Sequence, residues 1–339
     1  MKPLTARRFL FWVTVLSLVL CASALLGLTV GAVSISLTDA FGGDGEAAFI
    51  LFDLRLPRVL VAVFVGGALA ACGAAFQALL RNALASPFVL GVSGGGSLGA
   101  VISIVIGADA VVLGGFTIST RPAFAFAGCL LALVLIYSLA RRRGHLMPQT
   151  LLLAGVVANA FFLSILGFLQ YLATPHESQE ILRWMMGGLY GLTPAWALAT
   201  GALVIPGVVV LTMLGRSLNV LTLGAETARQ LGVDVSRVRG IVFVVASLLT
   251  GAAVSAAGPI GFVGLFIPHG VRLLLGSDVR LLVPASFLAG GAFLVLADAL
   301  ARVISAPGEM PVGLVTAAIG APCFVLILVS GRAQVGGRA

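Results

Sequence analysis

Long apolar runs without charge constrain this chain more than any other feature. No charged residue interrupts the run from Val59 to Leu80, and a membrane-spanning helix needs about 20 apolar residues. Pro57 precedes the run at a first-turn position, where a helix tolerates proline. Such runs recur throughout the 339 residues, of which 60% are hydrophobic and 9% charged, whereas soluble domains carry about 25% charged residues. The sequence therefore predicts an all-α, polytopic membrane protein.

Ten crossings are predicted, and together they leave no polar stretch long enough for a soluble domain. A single membrane domain over residues 1–339 is expected. The first run follows Lys2, Arg7 and Arg8, but it is too long for a signal peptide and is interpreted as a transmembrane helix. We place the crossings near residues 9–33, 58–80, 88–107, 122–140, 149–172, 193–214, 237–257, 260–275, 284–303 and 312–330.

The charge pattern predicts the orientation of these crossings. With a cytoplasmic N-terminus, most of the 20 basic residues fall on the inner side, as the positive-inside rule requires. Both termini are then cytoplasmic. The net charge of +8 is explained by these short inner loops, so no nucleic-acid partner is expected. The outer side receives five basic residues, which are Arg55, Arg58, Arg121, Arg183 and Arg302.

Motifs from about Arg55 to Val329 resemble the FecCD family, the permease subunits of ABC importers for ferric siderophores, haem and cobalamin. The first group is Arg55-Leu56-Pro57-Arg58, Gly73, Gln77, Arg81-Asn82, Leu84, Pro87 and Leu90-Gly91-Val92-Ser93-Gly94. Later groups include Trp184-Met185-Met186-Gly187-Gly188, Gly258-Pro259-Ile260-Gly261-Phe262-Val263-Gly264-Leu265, Pro268-His269, Arg272, Asp298 and Glu309-Met310-Pro311-Val312-Gly313. Ala83 and Met310 depart from the proline and leucine usual in the family.

The resemblance implies a type II ABC importer permease in the bacterial inner (cytoplasmic) membrane. Its implied partners are a second copy of the chain, two cytoplasmic ATP-binding subunits, an external substrate-binding protein and the lipid bilayer. It implies transport of an iron chelate or cobalamin, with no catalytic activity, cofactor or metal site in this chain. The alternative is a secondary transporter driven by an ion gradient, which would have charged residues at the bilayer midplane; Asp298 is the candidate.

Other chemistry is poorly supported by the residues. Gly91–Gly95 matches a hydrolase nucleophile elbow, but glycine-mediated helix packing is the better interpretation. Lys2 is the only lysine, so no phosphate-binding loop can form. His269 has no further ligands at helical spacing and is interpreted as structural. The spacing of the four cysteines matches no metal site, so we expect them to be buried as small hydrophobic residues. They are Cys21, Cys72, Cys129 and Cys323.

Charged residues predicted on the outer side suggest two hypotheses, one about an ion pair and one about a docking surface. Asp298 and Arg302 are four residues apart, which favours an ion pair on one helix face over a proton-relay carboxylate. The resemblance implies that Arg55, Arg58 and Arg302 meet carboxylates of the binding protein. The alternative is local pairing of these arginines with Asp53 or Asp298.

Two turns at the inner end are candidates for a cytoplasmic gate. Asn82 and Leu84 follow the second crossing, and Pro148 and Gln149 open the fifth. Gating positions of the family fall on these turns, and packing of proline and small polar groups there would close a path. The alternative is two ordinary turns.

The segment 218–235 is predicted to couple the chain to its ATPase. Spacing predicts a helix from Leu221 to Gly232 with a small apolar face and a glycine cap. Docking into a groove of a partner is favoured; the alternative is an interfacial helix on lipid. The family resemblance implies that this partner is the ATPase subunit. The coupling residues are Leu221, Gly224, Ala225, Ala228, Arg229, Leu231 and Gly232.

Overall fold

A computed structural model describes residues 4–31, 40, 45–108, 110–113, 116–142, 145–306 and 308–336. Lys2 and the predicted end of the first crossing, residues 32–33, lie outside these ranges. Below, the end of the molecule that holds Arg58 is called the outer end and the end that holds Asn82 the inner end. These names follow the charge-based orientation.

Helices account for most of the described residues, with two short antiparallel hairpins between them. In chain order the helices are α1 (Ala6–Thr29), α2 (Gly45–Phe49), α3 (Leu56–Leu80), α4 (Val92–Val105), α5 (Arg121–Ala140), α6 (Pro148–Leu172), α7 (Pro175–Met185), α8 (Pro194–Met213), α9 (Gly215–Thr222), α10 (Ala225–Gln230), α11 (Val235–Ala257), α12 (Val263–Leu275), α13 (Val279–Ile304) and α14 (Val312–Gly336). A π-helical segment, Ile50–Arg55, joins α2 to α3. The hairpins are β1 (Ala110–Leu113) with β2 (Phe116–Ser119), and β3 (Arg141–Arg142) with β4 (His145–Leu146).

The polytopic helical fold is confirmed. Seven of the predicted crossings correspond to described helices that are long and apolar enough to span a bilayer, namely α1, α2–α3, α5, α6, α8, α11 and α13. The other three correspond to the shorter apolar helices Val92–Val105, Val263–Leu275 and Val312–Leu326. Helix α7, the hairpins and α9 were not predicted.

Helices α4 and α12 are shorter than the crossings predicted near 88–107 and 260–275. At 1.5 Å per residue, α4 is about 21 Å long, whereas the hydrocarbon core is about 30 Å thick. Leu90 and Ile260 precede these helices in irregular backbone, and both are buried. Such backbone is tolerated at membrane depth where protein surrounds it. A hydropathy pattern cannot distinguish it from the first turn of a helix.

Helix α3 forms the centre of the molecule, and most of its residues are buried. It packs mainly against α13 and also against α11, α8 and α12. Gly66 and Gly290 let these two helices approach closely: a Cβ added to Gly66 would lie 2.3 Å from the Gly290 carbonyl oxygen. Small residues of this kind let membrane helices pack backbone against backbone, which fixes α3 and α13 against each other.

A second group of helices, α4 to α7, packs beside this centre. Helices α4 and α5 meet at Gly95 and Gly128, where an added Cβ on Gly95 would lie 2.6 Å from the Gly128 carbonyl oxygen. Helix α7 begins with a capping box, because Thr174 accepts from the Glu177 N–H and the Glu177 carboxylate accepts from the Thr174 N–H. It packs on α4 near the outer end.

Candidate functional site

Five charged residues meet near the outer end, and we call them the outer cluster: Arg55, Arg58, Asp298, Arg302 and Glu309. Asp298 accepts from Arg58 Nε at 3.0 Å and from Nη2 at 2.9 Å, while Arg58 Nη1 donates to Glu309 at 3.1 Å. Arg302 Nε lies 3.1 Å from the other Asp298 oxygen, as an ion pair without hydrogen-bond geometry. Because a buried charge is costly unless paired, this arrangement stabilises charge inside the helix bundle.

The same cluster holds the end of α1. Arg302 donates to the carbonyl oxygens of Gly27 and Val30, both at 2.8 Å. Arg55 donates to the carbonyl oxygens of Leu28 and Thr29, at 2.8 and 3.0 Å. The last carbonyls of a helix lack partners and carry partial negative charge. Two guanidinium groups from distant segments therefore cap α1.

These contacts bear on the predicted docking role. Arg55, Arg58 and Arg302 are only 6%, 9% and 7% exposed, and Asp298 is 1% exposed. The geometry thus favours local pairing, which was the alternative considered for these arginines, because their side chains point into the chain. Their contact with a binding protein stays a prediction. The expected Asp298–Arg302 pair is present, and Arg58 is a second, closer partner.

The four gate candidates lie at the inner ends of α3 and α6. Asn82 accepts from the Leu84 N–H at 2.9 Å through its side chain, which orders the turn after α3. Leu84 and Gln149 are exposed, whereas Asn82 and Pro148 are half-buried. A gating role for these residues stays a prediction.

The predicted single coupling helix is wrong, because two helices replace it. Gly224 has φ +126° and separates α9 from α10, in a region of backbone space that favours glycine. Gly232, at φ +81°, ends the second helix as expected. The N–H groups of Gly232 and Val233 donate to the carbonyls of Arg229 and Ala228, both at 2.9 Å, which is a Schellman cap.

The face of this segment that was expected to contact a partner is buried within the chain. Ala228 is 0% exposed and Leu221 is also buried, whereas Leu231 is 62% exposed. Ala225 is half-buried. The small apolar face packs on the chain itself because α10 lies against α11. The exposed surface, called the inner surface below, consists of Leu223, Glu226, Thr227, Arg229 and Leu231.

A polar contact that the sequence analysis missed joins the coupling segment to α13. Asn219 donates to Asp278 at 2.7 Å and accepts from the Val279 N–H at 2.8 Å. Asp278 is the N-cap of α13 and also binds the Arg280 guanidinium. The hydrogen bond from Arg280 lowers the pKa of the Asp278 carboxyl, and the Asn219 amide acts in the same direction. An aspartate before an apolar run is the N-cap signal that could have found this site.

A second polar contact that the sequence did not predict joins α3 to α12. Arg272 donates to the Gln77 side-chain oxygen at 2.9 Å, and Gln77 donates to the Leu265 carbonyl at 3.1 Å. This links α3 to α12 near the inner end. His269 Nδ1 is buried without a hydrogen-bond partner among the described residues. No group of three or more His, Cys, Asp or Glu residues that could hold a metal ion is found within the described ranges.

The predicted burial of the cysteines holds for two of the four. Cys72 and Cys129 are buried among the helices, and Cys323 is intermediate. Cys21 is exposed on α1, so its predicted burial is wrong within the single chain. An apolar run does not reveal which face of a peripheral helix meets lipid.

Comparisons with known proteins agree on one family. The chain matches the FecCD transport family over residues 18–330. The vitamin B12 import system permease protein BtuC of Citrobacter koseri is 37% identical over 328 residues, covering 96% of both chains. The hemin transport system permease protein HmuU of Yersinia pestis is 37% identical over 321 residues, covering 94% of this chain and 95% of its own.

A solved structure is also similar. It is of a metal-chelate type ABC transporter in an inward-facing conformation, with a TM-score of 0.84 and 29% identity, covering 94% of this chain and 98% of its own. The helical architecture and the sequence thus lead to the same assignment. The chain belongs to the FecCD transport family of ABC transporter permeases.

Proposed function

We propose that this chain is the membrane-spanning permease subunit of an ABC importer for an iron chelate (a ferric siderophore or haem) or cobalamin. Two copies would form the pathway across the bacterial inner membrane. Two separate subunits would hydrolyse ATP, and an external binding protein would deliver the substrate. The observation that carries the proposal is similarity over nearly the whole chain to permeases named for vitamin B12 and for hemin.

The inner surface supports a contact with an ATPase. It presents two exposed leucines, Leu223 and Leu231, beside an exposed ion pair between Arg229 and Glu226 at 3.0 Å. Apolar anchors with a polar rim are typical of protein interfaces. Asn219 lies on the adjoining helix and binds the N-cap of α13, so a shift of this surface would reach a long membrane helix directly.

Helix α6 supports the proposed pairing of two copies. One of its faces leaves large apolar side chains exposed along much of its length. Lipid would cover part of this face, and a second copy of the chain would cover the rest. The exposed side chains include Leu153, Val156, Val157, Phe161, Phe168, Tyr171 and Leu172.

Transport in a defined system tests the proposal. The chain, its ATPase and its binding protein would be reconstituted in liposomes, and uptake of radiolabelled cobalamin, haem and a ferric siderophore measured. We expect one substrate to accumulate only with both ATP and the binding protein. Uptake that persists without ATP and collapses with an ionophore would instead support the ion-gradient mechanism. The Asp298 carboxylate, engaged by Arg58 and Arg302, gives that mechanism no specific support.

A further inference from the structure

One outer arginine differs from the other four predicted on that side. The three arginines of the outer cluster are buried, and Arg121 pairs with Glu180 at 2.5 Å. Arg183, in the last turn of α7, is exposed. It makes no hydrogen bond or ion pair with another described residue. A guanidinium group at the outer end is therefore available for a ligand.

Arg183 lies beside a cavity that no proposed role has used. The cavity has a volume of about 340 Å³, at the lower end of the range for small-molecule pockets. It lies between the end of α7, the loop to α8 and the outer end of α11, and we call it the outer pocket. The side chains of Trp184, Tyr190 and Trp196 line it, with Arg121 and Glu180 at one side.

The outer pocket has three further hydrogen-bond donors beside the ion pair of Arg121 with Glu180. Arg183 offers a charged fork that matches a carboxylate. Burial and the nearby Glu309 raise the pKa of Tyr190, so its hydroxyl keeps its proton and remains a donor at neutral pH. Trp184 Nε1 is a buried donor without an acceptor among the described residues. A ligand with acceptor oxygens would complement this set.

The aromatic rings that line the pocket indicate what the rest of the ligand is, beyond its acceptor oxygens. Indole and phenol rings stack on flat apolar groups, and three such rings line a single cavity. We propose that the outer pocket binds a carboxylate on an aromatic or macrocyclic part of the transported chelate. This rests on the proposed function and narrows the substrate to chelates that carry a carboxylate. A glutamate from a binding protein would satisfy Arg183 but leave the rings uncovered.

The chain contains a reporter for this pocket. Two of its three tryptophans, Trp184 and Trp196, line the cavity, and Trp12 lies in α1. A Trp12→Phe variant in lipid nanodiscs would therefore report indole quenching from the pocket alone. The probes are metal-free protoporphyrin IX, which has two carboxylates, and its dimethyl ester. The absence of iron removes ligation by histidines such as His176 as a source of binding.

In this background we expect saturable quenching by protoporphyrin IX, beyond that in empty nanodiscs. Arg183→Gln should weaken it about tenfold or more, since a hydrogen bond to a charged group is lost. Arg183→Lys should lose less affinity than Arg183→Gln, because it keeps the charge but not the planar fork. Arg237→Gln, which removes an exposed arginine at the inner end, should leave the quenching unchanged. The diester should bind weakly and equally to all variants.

Two results would overturn the inference: equal affinity for the acid and the diester, or wild-type affinity in Arg183→Gln. Folding of each variant is checked by size-exclusion chromatography and circular dichroism. The reconstituted uptake assay separates the two proposals. ATP-dependent uptake together with carboxylate-independent quenching refutes only the pocket. Arg183-dependent quenching with no uptake of any chelate refutes the proposed function.

Discussion

Asn219 of α9 and Asp278 at the start of α13 are joined by a hydrogen bond of 2.7 Å from the amide to the carboxylate. The same Asn219 side chain accepts from the Val279 N–H, so one residue satisfies both a helix end and its capping group. Because α9 adjoins the inner surface, the proposed contact with an ATPase would transmit motion to the membrane helices through this pair.

Asn219→Ala should uncouple ATP hydrolysis from transport. The change leaves Asp278 with Arg280 but removes the bond between α9 and α13, a loss of about 1–3 kcal/mol. We expect more ATP hydrolysed per substrate transported, with the ATPase still bound. The matched control is Thr222→Ala, which removes an exposed hydroxyl that bonds only the Asn219 backbone carbonyl and leaves the Asn219 side chain intact. Equal coupling ratios in both variants and in wild type would contradict the prediction.

The Asp278 cap should make α13 sensitive to acid. Its folded-state pKa is lowered, chiefly by the Arg280 hydrogen bond. Its stabilising contribution is therefore present above the unfolded pKa, near 3.9, and is lost as the pH falls through the lower, folded value. Asp278→Asn should reduce the acid-dependent part of the loss in melting temperature. An unchanged pH profile in that variant would refute the assignment.

Leu231→Glu and Ala228→Trp should separate docking from folding. Leu231 is exposed, so a charge there should weaken co-purification of the ATPase without lowering the melting temperature of the chain. Ala228 is buried within the chain, so a tryptophan should cost about 1–3 kcal/mol of its own stability by overpacking. Thermal melts and ATPase pull-down measure both effects. An Ala228→Trp chain as stable as wild type would show that this face of α10 is not packed against the rest of the chain.

Single cysteines at Leu84 or Gln149 test the gate. In a background without Cys21, Cys72, Cys129 and Cys323, we expect cross-links between two copies when the inner end is closed. Both positions are exposed in the single chain, as a contact between copies requires. Cross-linking would be followed by gel shift with and without nucleotide. Failure in every nucleotide state would contradict both the gate and the pairing.

Asp298→Asn should destabilise the chain strongly. It leaves Arg58 and Arg302 buried without a full counter-charge, and breaking a buried pair costs about 3–5 kcal/mol. The double change Arg58→Met with Asp298→Leu should cost less, since it removes Arg58 as well and leaves only Arg302 without its counter-charge. Glu309→Gln should have little effect, because the Glu309 side chain is 52% exposed. Thermal unfolding in detergent measures the stability of the three variants. A double variant as unstable as Asp298→Asn would contradict this account.

The sequence predicts the long helices and the local pairs, but it offers the distant contact between Arg58 and Asp298 only as an alternative. The Asp298–Arg302 pair follows from a spacing of four residues on one helix. Arg58 lies 240 residues from Asp298, and no local pattern relates them. Burial explains the error on the coupling segment: small residues at helical spacing show that a face is covered, but not whether the chain or a partner covers it. Ala228 is covered by the chain itself.

The length of α13 between its two polar contacts has a mechanical consequence. Asp278 and Asp298 are twenty positions apart, about 30 Å along a helix. Backbone hydrogen bonds close the turns of α13 except at Pro284, which has no N–H to donate, so the helix still resists shortening. Tension or compression applied at Asp278 therefore reaches the Arg58 contact as a translation of the whole rod. The inner end and the outer cluster are thus linked by one continuous helix, and a displacement of one end would be transmitted to the other.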